Sequence, residues 1–338
     1  MRRFLYSVLL FFLIPLIGLT VLYFVSDPYK TLKPFSLQYF DSTNRDYLST
    51  ELFLMNDRDY EYDYDSFIFG SSRGCGFNTY HWKHCLGEDA RPFLFQAWGE
   101  TLTGIEQKIS FLDERGNQLN NALVLIDIPG TFSHKQLPTE AMSIKDPAVS
   151  QQPRWLHQSI LLYDFLQKPT QWIKAIRGLL SYEPPRIVFD TVTNDWEKES
   201  LYKDFDNPPA KDSLRNFSSK KRKEFLKENA SKTETDIKTS KELINETHIQ
   251  QLEHIKCIFD KQGTNYKIII TPAYCYSYPE ISPVDLNILD SVFGADQVFD
   301  YSGKNVLTSD YNNFSDPNHF GQYVGWNILE NIYNHRDL

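Results

Sequence analysis

Cysteine is scarce in this chain: Cys75, Cys85, Cys257 and Cys275 are the four among 338 residues. No Cys-x-x-Cys and no His-Glu-x-x-His occurs, so the common zinc-ligand spacings are missing. Neither a metal nor an organic cofactor is expected. Four cysteines over this length are not a dense disulfide framework. Cys75 and Cys85 are the natural local pair, and the alternative is buried free thiols. Positive charge is also in short supply, with 35 Lys and Arg against 44 Asp and Glu, a net charge of -9. Nucleic-acid binding needs a basic footprint, so the balance argues against such a partner. The Asp- and Tyr-rich stretch Asp57 to Asp65 matches no calcium loop and reads as solvated chain leading into the first strand. Internal repeats and Gly/Ser linkers are absent too.

One long stretch lacks charge altogether. Phe4 to Val25 is mostly Leu, Phe, Val and Ile. As a helix it would run roughly 33 Å, enough to cross a hydrocarbon core of about 30 Å. Arg2 and Arg3 precede it, and the positive-inside rule then keeps the N-terminus cytoplasmic. The alternative is a cleaved signal peptide, although the run is long for one and lacks a small-x-small site. Residues 1–26 are therefore read as a single-pass cell-membrane anchor through residues 4–25, and 27–338 as an extracytoplasmic domain.

Beyond the anchor, short apolar runs alternate with helical stretches. Ser66–Phe69, Pro92–Gln96, Ala122–Ile128, Lys267–Thr271 and Gln297–Asp300 read as strands. Their lack of in/out alternation suits strands buried on both faces of a parallel sheet. Leu102–Arg115, Glu242–Lys261, Pro283–Phe293 and Gly321–Tyr333 read as helices. The pattern predicts an α/β fold, a three-layer doubly wound (flavodoxin-like) parallel sheet. Residues 135–243 break the rhythm and read as a helical insertion, expected as a cap over the carboxyl end of the sheet. It holds an aromatic stretch, Trp155 to Leu180, and the basic run Lys220-Lys221-Arg222-Lys223. Helical core or membrane-proximal packing explains the first, with a substrate wall or a docking face for a membrane partner as the alternatives. The second reads as part of a solvated helix.

Candidate chemistry collects where such sheets place it, at the carboxyl ends of the strands. Gly70-Ser71-Ser72-Arg73 ends the first strand and Gly99 follows the second. Asp127 to Phe132 closes the third, and Asp316-Pro317-Asn318-His319 precedes the last helix. A serine, a histidine to take its proton and an aspartate to orient the histidine are the parts of an acyl-transfer site. Each part also has an ordinary reading. Ser71 and Ser72 could cap a helix or offer amides to a phosphate, and Asp316 could be an N-cap. Arg73 could bind an anionic substrate group or pair with a nearby acid. His134 reads as a loop residue, and His157, His248 and His254 as polar helix positions.

These blocks resemble the SGNH (GDSL-like) hydrolase superfamily. Gly70-Ser71-Ser72 looks like its Gly-Asp-Ser block, with Ser72 in the nucleophile's place. Asp316-Pro317-Asn318-His319 matches its Asp-x-x-His block. The Gly-Ser-Ser variant behind a membrane anchor is similar to the teichoic acid D-alanyl-transfer and alginate O-acetylation proteins. The resemblance covers roughly residues 64–134 and 264–335. It implies Ser72, Asp316 and His319 as a catalytic triad, and the amides of Ser72 and Gly99 as oxyanion hole. It also implies an O-acyltransferase or carbohydrate esterase acting on a cell-envelope glycan, with a membrane-bound O-acyltransferase as possible partner. One block departs: the third strand ends Ile126-Asp127-Ile128-Pro129-Gly130-Thr131, without the family's oxyanion asparagine. An ionised Asp127 cannot donate a hydrogen bond. Thr131, Ser133 or a backbone amide would have to substitute, and Arg73, Asp127 and Thr131 are the candidate substrate contacts. The rival expectation is a non-catalytic scaffold or glycan-binding protein that keeps the fold.

Overall fold

The computed structural model describes residues 1–41, 44–59, 61–133, 144–181, 187–196, 224, 227, 232 and 236–338. His134 and the run Lys220–Lys223 lie outside the described residues. Two compact units emerge: Met1–Met55 with Lys135–Ile187, and Asn56–His134 with Val188–Leu338.

In chain order the described elements begin with α1 (Arg2–Ser26), α2 (Arg45–Asp59) and β1 (Ser66–Gly70). A 3-10 turn (Ser72–Gly76), α3 (Thr79–Leu86), β2 (Pro92–Gln96), α4 (Leu102–Arg115) and β3 (Asn121–Ile126) follow. The middle contributes α5 (Pro147–Ser150), α6 (Arg154–Gln167) and α7 (Pro169–Leu180). Then come α8 (Glu246–Gln262), β4 (Asn265–Ile270), α9 (Pro283–Phe293), β5 (Val298–Asp300), β6 (Phe314–Asp316), β7 (His319–Phe320) and α10 (Gln322–Asn334).

The second unit is built on one five-stranded sheet, ordered β2-β1-β3-β4-β5, with every pairing parallel. The apolar runs are buried throughout β1 and β2 and over most of β3 and β4, whereas the edge strand β5, expected to be buried, is half-exposed with no neighbour on its outer side among the described strands. Ile68, Leu94, Leu123, Leu125 and Ile269 face a cluster with Trp82 of α3 and Val324 and Ile328 of α10. On the opposite face Phe95 meets Phe111 of α4 at 6.5 Å. There Tyr266 stacks on Phe259 of α8 at 5.1 Å and meets Phe293 of α9 at 5.8 Å. Helices thus cover both faces, the α/β arrangement expected. Burying each such side chain contributes about 1.5–3 kcal/mol. The open edge of β2 is also covered. Leu94 donates its amide to the Thr193 carbonyl at 2.9 Å, and Asn194 Nδ2 donates to the Leu94 carbonyl at 2.7 Å. Residues 188–196 therefore return to the sheet, where they satisfy a strand edge that would otherwise be open to pairing.

In the first unit, α1 is long and apolar enough to cross a membrane, with a mean hydropathy of 2.7 over its best 18 residues, 6% of them buried. The aromatic stretch Trp155 to Leu180 forms α6 and α7. Leu161, Phe165, Trp172 and Ala175 pack with Leu22 and Tyr23 of α1 and with Tyr29.

His157 of α6 is buried and stacks on Tyr47 with centroids 6.2 Å apart. Burial lowers its pKa to about 4, against the opposing charge of Asp46. A folded-state value below the unfolded one means that the unfolded chain takes up the proton first. This stability is full above the unfolded pKa of about 6.5 and drains away as pH falls toward about 4. A His157→Phe variant keeps the stacking and lacks the proton site. Between pH 7 and pH 4 the wild type should lose about 3 kcal/mol relative to it. Denaturant melts of both proteins at several pH values measure the difference, and a pH-independent difference would refute it.

Candidate active site

The active-site candidates all fall in the second unit, at the carboxyl end of its sheet. The 3-10 turn Ser72–Gly76 follows β1 directly, at the point where the strand order reverses between β1 and β3. A Cβ at Gly70 would lie 2.7 Å from Leu125 Cβ, so glycine lets the end of β1 approach β3. The two serines then diverge. Ser71 is buried and caps the turn, its Oγ accepting from the Arg73 amide at 3.3 Å and donating to Asp127. Ser72 is half-buried, and its Oγ lies 2.7 Å from His319 Nε2.

His319 reaches Ser72 from a small antiparallel hairpin of β6 and β7 in which Asp316 and His319 are paired residues. Pro317 and Asn318 form its two-residue turn, so the spacing of three sets the carboxylate beside the imidazole. His319 Nδ1 is 2.8 Å from Asp316 Oδ2. A carboxylate only accepts, so Nδ1 carries the proton and Nε2 is left to accept from the Ser72 hydroxyl. Asp316 Oδ1 also accepts from the amides of Asn318 and His319, at 2.8 and 3.1 Å. Burial would raise the Asp316 pKa. The hydrogen bond and charge of His319, together with those two amides, outweigh it, and the carboxyl sits below its usual value. Ser72, His319 and Asp316 are thus continuously hydrogen-bonded.

Two glycines bring the hairpin to the serine. A Cβ on Gly76 would stand 2.3 Å from Phe320 Cε2, and one on Gly325 would stand 2.0 Å from the Gly76 carbonyl oxygen. Only bare backbone allows α10 to lie this close to the serine turn. The sequence signal for Gly325 was a lone glycine inside a helical pattern.

The remaining candidates form a buried support. Arg73 is 2% exposed. It donates through Nε and Nη2 to Asn318 Oδ1 and through Nη1 to Thr271 Oγ1 at 2.8 Å. Its Nη1 is 3.7 Å from Asp127 Oδ1, and its guanidinium lies over Tyr278 at 5.4 Å. Asp127 accepts from Ser71 and, at 2.6 Å, from Thr271. Thr131 Oγ1 accepts from the Asp127 amide at 2.8 Å. Arg73 thus has a nearby acid within ion-pair reach, and Asp127 and Thr131 are engaged with each other. Asn318, Thr271 and Tyr278 were not singled out by sequence reasoning. Gly99 is exposed, three residues beyond β2, with a φ of 59°. The following Glu100 fixes that turn by a fully buried pair with Lys108 at 2.6 Å. Pro129, Tyr276, Tyr278 and Lys241 help line a cavity of about 630 Å³.

The other reactive side chains have local partners. None of the four cysteines forms a disulfide, so no Cys75–Cys85 bridge exists; of the thiols only Cys275 is buried, Cys75 and Cys85 being half-buried and Cys257 exposed. Cys75 Sγ is 3.2 Å from Gln96 Nε2. Burial pushes the Cys85 thiol up to about 12, which keeps it inert as a nucleophile. Cys85, His81 and Glu330 lie close enough to share an ion, with His81 and Glu330 hydrogen-bonded at 3.0 Å. His248 completes the capping box of α8 with Asn245, and His254 contacts Glu106 at 2.8 Å. Comparison of the chain with protein-family models finds no match, and comparison with curated proteins finds none either.

Proposed function

We propose that this protein is a membrane-anchored serine acyltransferase or esterase of SGNH-like type. It would act on O-acyl groups of a cell-envelope polysaccharide. The observation that carries the reading is the hydrogen-bonded chain Ser72–His319–Asp316 at the carboxyl end of β1. Ser72 Oγ attacks the acyl carbonyl carbon while its proton passes to His319 Nε2, and Asp316 steadies the imidazolium. The tetrahedral intermediate collapses, His319 returns the proton to the departing oxygen, and acyl-Ser72 remains. An acceptor hydroxyl, from a sugar or water, then gives its proton to His319 Nε2 and attacks the acyl carbon, and as the second tetrahedral intermediate collapses His319 returns that proton to the departing Ser72 Oγ. The amides of Ser72 and Gly99 are the oxyanion donors in this scheme. With α1 as a single-pass anchor and Arg2 and Arg3 in the cytoplasm, the site faces the envelope. A membrane-bound O-acyltransferase is then a natural donor partner.

One observation favours the rival reading, a non-catalytic scaffold for such an acyltransferase. The third-strand position holds Asp127, an acceptor already engaged by Ser71 and Thr271. Losing one oxyanion donor costs about 10²–10³ in rate. Water as acceptor suffers this in full, whereas a bound sugar recovers rate by proximity. With nitrophenyl acetate as donor, the purified full chain should acetylate an envelope oligosaccharide faster than it hydrolyses the ester. Mass spectrometry should find the acetyl group on Ser72 during turnover. A folded protein that never carries acetyl there would be a scaffold.

A further inference from the structure

A second cavity, of about 530 Å³, lies in the first unit at the carboxyl end of α1. Its lining contains four cations, Lys30, Lys33, Lys174 and Arg177, against one carboxylate, Asp41. Tyr39 gathers two of them, with Lys30 and Lys33 Nζ standing 4.4 and 4.7 Å from its ring centroid. Asp27 holds the intervening turn by accepting from the amides of Thr31 and Leu32 and from the Tyr39 hydroxyl, at 3.0, 3.1 and 3.0 Å.

The depth of this cavity follows from α1. Twenty-five helical residues span about 37 Å, against a hydrocarbon core of about 30 Å. Val25 and Ser26, which line the cavity, therefore stand at headgroup level. The helix beside them has the pattern of one lying in a bilayer surface. Ile173, Ile176 and Leu180 of α7 recur on one face and are exposed, Leu180 by 82%. Lys174 and Arg177 form the adjoining basic stripe. Trp172 and Ala175 pin α7 against the last turns of α1. An apolar face beside a basic cavity, at the point where a membrane helix leaves the bilayer, fits a lipid with an anionic head.

We propose that this cavity binds the phosphodiester headgroup of an anionic phospholipid, with the acyl chains lying along the apolar face of α7. The proposal stands on α1 crossing a bilayer and is independent of the acyl-transfer chemistry. The test uses the detergent-solubilised full chain, titrated calorimetrically with dihexanoyl phosphatidylglycerol, dihexanoyl phosphatidylcholine or inorganic phosphate. The anionic lipid should bind saturably, and the zwitterionic lipid and phosphate at least about tenfold more weakly. Each cation near a membrane surface is worth about fivefold, so Lys174→Gln with Arg177→Gln should weaken the anionic lipid at least about tenfold. Both side chains are exposed, so the fold should survive, and circular dichroism checks that. Equal binding of the two lipids overturns the proposal, as does unchanged affinity in the double variant. Phosphate matching the lipid would make this an anion site and would also overturn it. Ser72 acetylation, read separately, should be unaffected by the double variant.

Discussion

A serine-directed fluorophosphonate should label the full chain at one residue, and Ser72→Ala should abolish that labelling. The reagent needs a nucleophile whose proton has somewhere to go, and His319 Nε2 is the acceptor at 2.7 Å. His319→Ala should slow labelling by about 10³-fold or more, because triad members act as a unit. Asp316→Asn should come close to it, since an amide at Nδ1 allows the wrong tautomer. Ser71→Ala is the informative control. Its hydroxyl points at Asp127 and the Arg73 amide, so the loss should appear as stability, about 1–2 kcal/mol, with labelling largely retained. Comparable loss of labelling in the Ser71 and Ser72 variants would remove the distinction and with it the triad.

The second large effect is expected at Arg73. Arg73→Met should destabilise the protein by about 3–5 kcal/mol, because it strands the buried Asp127 carboxylate and removes the donors to Asn318. Asn318 is the turn residue of the hairpin that carries Asp316 and His319, so labelling of Ser72 should slow as well. Arg73→Lys should rescue little. One ammonium cannot present the planar fork that reaches Asn318 and Thr271 together. Adding Asp127→Asn to Arg73→Met should recover part of the stability by removing the stranded charge. Urea melts of wild type, Arg73→Met, Asp127→Asn and the double variant give the cycle. A Lys variant as stable and as reactive as wild type would reduce Arg73 to a simple cation.

Most of the sheet was legible because its signals are local. Buried parallel strands need continuous apolar runs, and those of β1 to β4 stand out between helical stretches of ordinary amphipathic pattern, as does the shorter, half-exposed edge strand β5. Asp316 and His319 were legible as a spacing of three ahead of the last helix, whereas the hairpin that pairs them emerged only in the structure. The 3-10 turn after β1, α3 and the edge cover from residues 188–196 carried no comparable pattern. Their stability comes from partners distant in sequence, such as Thr193 and Asn194 against Leu94.

By itself, then, the amino-acid order determined the α/β class, the apolar helix of membrane-spanning length and the short roster of serines, acid and histidine. Tertiary structure decided which serine meets the histidine. It also decided that Arg73, Asp127 and Thr131 are buried and linked to one another beside Ser71, and that Gly76 and Gly325 let the hairpin close on the serine turn. These outcomes depend on strand register and on a backbone approach of a few ångströms between segments roughly 55 to 250 residues apart. Periodicity along a chain encodes which face a residue takes, but not which distant group it will meet there.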